Sequence, residues 1–132
     1  MSISEDKNST TDFDRWIGEE FAATGPFTAF VILVEIAESA VLPLCSTYFN
    51  IISDEIDWNE ITVLFAGSGR AWNGACFFPI SASEGGVLDN PGARLKLREL
   101  ESRVDENRLV LNEGYFFDQC GRRLKIEEMQ AQ

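Results

Sequence analysis

Residues Pro26–Asn50, PFTAFVILVEIAESAVLPLCSTYFN, form a long and largely apolar segment. Whether it folds as helix or strand decides the architecture. A transmembrane helix takes about 20 predominantly apolar residues, and the length is close. Glu35 and Glu38 near its middle, acidic neighbours and the lack of a basic flank argue against that reading. A buried strand through AFVILVEI stays open, because the run is rich in β-branched side chains. A helix accounts for more of the pattern. At about 100° per residue, Thr28, Glu35, Glu38, Ser39 and Ser46 fall within an arc of about 100°, and the rest of the wheel is mostly apolar. Pro26 suits a first helical turn, where its missing N–H costs nothing. The expectation is one mostly buried helix over residues 27–49, kinked or interrupted at Pro43, with a strand as the alternative.

Before this segment, TDFD from Thr11 has the form of a capping box, and Phe13, Trp16, Ile17 and Phe21 follow at helical spacing. A helix is expected from about residue 12 to 23, stopped by Gly25. Residues 1–10 are polar and read as a disordered tail. After it, Ile52–Glu60 is an acidic connector holding Trp58. ITVLFAG (Ile61–Gly67) is apolar at every second position and at those between, as in a strand covered on both faces. GSGRAWNG (Gly67–Gly74) reads as a hairpin loop with an Asn-Gly turn. ACFFPIS is a second strand, which Pro79 should push to an edge or end.

Asp89 or Asn90 can cap a helix that has Pro91 at its start. Ala93, Leu97, Leu100 and Val104 form its buried stripe, with Glu99 and Arg103 as an i,i+4 pair. RLVLNEGYFF and RRLKIEE read as short strands around the turn DQCG, Asp118–Gly121. The expected fold is thus α+β, a single domain over residues 11–132. N-terminal helices pack on an antiparallel sheet with one further helix, in the order helix, helix, strand, strand, helix, strand, strand.

The chain has no histidine among its 132 residues. That removes Ser-His-Asp triads, Cys-His pairs, HExxH metal sites and imidazole bases. Cys45, Cys76 and Cys120 are odd in number and widely spaced, which fits a reducing compartment and small buried side chains. No signal-like segment opens the sequence, so a cytoplasmic protein is expected. The glycines of GSGRAWNG do not match G-x-G-x-x-G or a P-loop, so no nucleotide cofactor is expected. No metal site is expected either.

The net charge is −11, and it is unevenly spread. Residues 1–66 hold 12 Asp and Glu against 2 Lys and Arg, whereas residues 67–132 hold 10 against 9. Such a field repels nucleic acid and anionic membrane and draws in basic proteins. Arg94, Lys96, Arg98, Arg103 and Arg108 are interleaved with acids and give no clustered basic footprint. Asp54, Glu55, Asp57 and Glu60 around Trp58 have the composition of an interaction surface, an aromatic anchor ringed by carboxylates, as well as that of a plain solvated loop. Arg70 and Trp72 on the glycine loop are further contact candidates.

The function favoured is a small acidic binding module that neutralises a basic protein, as immunity proteins and antitoxins do to a cationic nuclease toxin. The alternatives are a carboxylate-dependent enzyme using Glu35 and Glu38 as acid and base, and an accessory or chaperone-like subunit that works as an oligomer.

Overall fold

A computed structural model describes residues 11–38, 40–53 and 55–124. The expected tail at residues 1–10 lies outside the described residues. The α+β class with an antiparallel sheet is what the structure shows, but two segments have the opposite secondary structure from that expected, and Arg108–Glu113, expected as strand, is a 3₁₀ helix with the strand starting only at Tyr115.

The first is the hairpin. Phe27–Ile36 is strand β1 and Val41–Ile51 is strand β2, paired antiparallel through a tight turn, with a bulge between Leu33 and Val34. No helix spans 27–49. All eight residues from Phe27 to Val34 are buried. Both faces of the strand are covered, so the period-2 alternation that marks a half-exposed strand is missing. Thr28, Glu35 and Ser46, which lie on one side of a helical wheel, have unrelated surroundings here. Thr28 is fully buried, Glu35 is exposed near the end of β1, and the Ser46 hydroxyl is bonded to Glu101.

The second is Trp58–Ala66, helix α2 rather than a strand. Helix α1 is Asp12–Thr24 and is close to its expected bounds. Both helices start with a reciprocal capping box, Thr11 with Asp14 and Asp57 with Glu60. Along α2, Trp58, Ile61 and Phe65 are buried at helical spacing, while Val63 and Leu64 stay exposed.

Strand β3 (Gly74–Ile80), helix α3 (Asn90–Glu106), a 3₁₀ segment (Arg108–Glu113), β4 (Tyr115–Asp118) and β5 (Arg123–Leu124) complete the described chain. The sheet order is β2-β1-β3-β4-β5, antiparallel throughout. Helix α3 has the expected cap at Asp89 with proline at its start, and its buried side is Ala93, Leu100 and Val104. Arg103 pairs with Glu113 of the 3₁₀ segment at 3.1 Å rather than with Glu99. Pro79 is tolerated in a central strand because β4 pairs only with Gly74–Phe77, so Pro79 faces no partner on that side.

The sheet is the middle of three layers. Odd-numbered β1 residues (Phe27, Ala29, Val31, Leu33) join Phe77, Phe117 and the buried sides of α1 and α2 in one core. Even-numbered ones (Phe30, Ile32, Val34) join Cys76, Phe78, Phe116 and the buried side of α3 in the other. Helices α1 and α2 therefore share one outer layer, and α3 with the 3₁₀ segment forms the opposite one.

Candidate functional site

The two outer layers differ in charge. Helix α1 carries Asp12, Asp14, Glu19 and Glu20 with one arginine, Arg15, and the start of α2 adds Glu55, Asp57 and Glu60 with no basic residue. On the opposite side, residues 90–113 hold Arg94, Lys96, Arg98, Arg103 and Arg108 against Glu99, Glu101, Asp105, Glu106 and Glu113, a balanced set. The uneven charge of the sequence thus becomes a difference between two faces.

Not all of these carboxylates are available to a partner. Asp14 accepts the Thr11 and Trp58 backbone N–H groups at 3.2 and 2.8 Å, and so ties the starts of α1 and α2 together. Asp57 caps α2 by accepting the Glu60 N–H at 3.0 Å, and Glu60 returns the bond to the Asp57 N–H. Asp12 accepts the Arg123 N–H at 2.8 Å and pairs with Arg15 at 2.5 Å. Among the described residues Glu19, Glu20, Glu55 and Glu60 take part in no ion pair. Glu19, Glu55 and Glu60 are exposed.

The expected contact residues are thereby sorted. Asp54 lies outside the described residues. Glu55 and Glu60 are exposed on the acidic layer, and Asp57 is half-buried in its cap. Trp58 is no surface anchor: it is 3% exposed, its ring 4.9 Å from that of Phe13, and its indole N–H donates to the Gln119 carbonyl at 2.9 Å. Arg70 is exposed. Trp72 is half-buried edge-on against Phe65, with ring centroids 5.2 Å apart.

The loop carrying Arg70 and Trp72 joins α2 to β3 and is not a hairpin turn between strands. The Asn73 side chain bonds the N–H and C=O of Ile36, fastening this loop to the end of β1. Gly74 begins β3, where a Cβ would lie 2.7 Å from the Ile36 side chain. Close packing against the Ile36 and Val34 side chains, rather than a positive φ, favours glycine there.

Glu35 and Glu38 do not form the expected pair on a helix face. Glu35 is at the end of β1 and Glu38 in the turn after it, both exposed. Burial pushes the Cys76 thiol far above its ordinary range, and its S–H donates to the Leu111 carbonyl, a packing role rather than a nucleophile's. Among the described residues no three potential ligands converge on a metal position, and no helix is long and apolar enough to cross a membrane.

One shallow groove of about 280 Å³ opens on the acidic layer, lined by Asp12, Arg15, Trp16, Glu19 and Arg123. The Arg123 guanidinium rests over the Tyr115 ring at 4.7 Å. The Arg123 N–H, followed by the Arg15 guanidinium, holds the Asp12 carboxyl below the usual aspartate value. A carboxyl lowered by folding stabilises the fold above its unfolded value, about 3.9, and this contribution is lost as pH falls through the lower folded value. Asp12→Asn should therefore flatten the acid limb of a stability-against-pH curve below about pH 4. The effect should stay within about 1 kcal/mol because the side chain is about 40% exposed, so solvent screens the pair. Urea titrations of both proteins from pH 2 to 7 would show it, and parallel curves would rule it out.

Comparison with family models, curated proteins and solved structures finds no match for the chain.

Sequence reasoning passed over Glu19 and Glu20 as contact residues. The signal was their place on α1, outside the apolar stripe of Phe13, Trp16 and Ile17. Their companionship with Glu55 and Glu60 depends on α2 being a helix beside α1.

Proposed function

We propose that the protein is a binding module that docks a basic protein on its α1/α2 layer, in the manner of an immunity protein or antitoxin that covers a cationic nuclease toxin. The observation that carries this reading is the gathering of seven carboxylates on α1, α2 and the residues just before α2, against Arg15 on those helices and Arg122 and Arg123 beside Asp12, with the opposite layer balanced. A surface of one sign steers a partner of the other, raising association rates by roughly 10- to 1,000-fold and making them sensitive to salt. The carboxylates at the helix starts hold the scaffold, while Glu19, Glu20, Glu55 and Glu60 supply the field. Arg70 lies outside this layer's helices and has no assigned part.

The reading makes the protein an inhibitor rather than an enzyme. Its test begins with affinity capture from the native cell at low salt and identification of the bound protein. The captured partner should be basic, and its association rate should fall steeply with added salt. Glu19→Lys, Glu20→Lys and Glu55→Lys together should slow association about tenfold or more at low salt and flatten the salt dependence. These positions stabilise no cap, so the variant should unfold at the parent's urea midpoint. A partner bound equally fast by the variant would sink the proposal.

A further inference from the structure

The two edges of the sheet are finished differently. On one side is β5, described over Arg123–Leu124, whose Arg123 N–H is taken by the Asp12 carboxylate at 2.8 Å. The other edge is β2, eleven residues, paired with β1 alone. Its first part is closed: the Arg108 guanidinium donates to the Val41 carbonyl, and Pro43 has no N–H to offer. From Leu44 to Ile51, among the described residues, no backbone hydrogen bond beyond the β1 ladder uses the strand. Alternate N–H and C=O groups of a strand point away from its one neighbour, so this stretch offers an open row of donors and acceptors.

Leu44–Ile51 reads LCSTYFNI, without a charged residue in a chain that is 25% charged. Natural open edges are commonly blunted with lysine or other inward charges, and this one has none. We infer that the Leu44–Ile51 edge pairs antiparallel with the same edge of a second copy about a two-fold axis, giving a continuous ten-stranded sheet.

Three observations select a second copy over another occupant. The β2 edge carries no carboxylate of its own to meet a basic partner; the acid nearest the strand, Glu101 of α3, is held by the Ser46 hydroxyl. Two copies, each of charge −11, repel everywhere except along a neutral strip such as this one. An antiparallel edge is also self-complementary, every open donor on one copy meeting an acceptor on the other. Each copy spends the same edge on the other, so the interface is isologous and closes as a dimer. The interface is separate from the proposed docking layer.

The test uses the full chain. Sedimentation velocity should show dimers at micromolar concentrations. Amide exchange should slow in Leu44–Ile51 as concentration rises, at the groups not bonded to β1. Thr47 is exposed, so Thr47→Lys should leave the monomer folded while placing two like charges near the axis. It should weaken dimerisation about tenfold or more, although it lowers the net charge that opposes association. Thr47→Val, uncharged and suited to a strand, should keep the dimer. A protein monomeric up to roughly 100 µM overturns the inference. So does a dimer unaffected by Thr47→Lys, or edge amides protected only when a second protein is added.

Discussion

Trp58→Ala is expected to lower the stability of the fold by about 3–5 kcal/mol, the usual cost of emptying a large aromatic site in a core. The ring sits among Phe13, Phe65, Trp72, Phe77 and Phe117. Its indole N–H bonds the Gln119 carbonyl in the β4–β5 turn, and its backbone N–H is held by Asp14 of α1. One residue thus joins both helices of the acidic layer to the β4–β5 turn at the end of the sheet. The turn is shaped around it: Gly121, at φ 79°, is so close that a Cβ there would meet the Trp58 ring at 2.9 Å.

A domain of this size has about 5–15 kcal/mol in all, so the variant should show a large drop in urea midpoint. Trp58→Phe keeps most of the buried area and loses the bond to Gln119. It should cost less, with about 1 kcal/mol arising from the hydrogen bond itself. If Trp58 were instead a contact anchor ringed by acids, Trp58→Ala would unfold at the parent's midpoint and lose only partner binding. The same titration decides between the two roles.

That residue also shows where the sequence was legible. The pattern that marks α1, a capping residue followed three positions later by a carboxylate and then an apolar stripe, occurs again at Asp57 and Glu60. There it was masked by the acids around it, which resemble a solvated loop. It was masked too by Val63 and Leu64, which are apolar yet exposed and so make the segment look strand-like. The β1–β2 hairpin was obscured for a different reason. A strand covered on both faces shows no alternation, and its covers, α1 with α2 and α3, come from distant parts of the chain. The caps of α1 and α3 and the turn at Asp118–Gly121 are local devices and could be read directly. The uneven charge could be read as well, but its confinement to one face required knowing that α2 lies beside α1. The open edge of β2 is a property of sheet order, which no local pattern encodes.

Thr28→Val is expected to cost about 1–3 kcal/mol even though it changes neither shape nor volume to a significant degree. Thr28 is the one buried polar side chain among the described residues, fully enclosed in β1. Its hydroxyl donates to Asn50 Oδ1 and accepts the Leu88 N–H, both at 2.9 Å. The first bond crosses to β2, where Asn50 is exposed and can turn to water. The second has no substitute. Leu88 is 7% exposed and stands just before the Asp89 cap of α3, so a valine would leave a buried N–H without an acceptor. The penalty is the desolvation of that group, which packing cannot offset. Thr28→Ser keeps the hydroxyl and removes only a methyl group, so it should be the milder change. The Leu88 amide should exchange faster in Thr28→Val than in Thr28→Ser, and the urea midpoints should rank in the same order. Equal midpoints for the two variants would mean that the methyl group, not the bond to Leu88, is what the buried threonine contributes. In that case the hydroxyl would be a tolerated passenger rather than the link that fixes the start of α3 against the sheet.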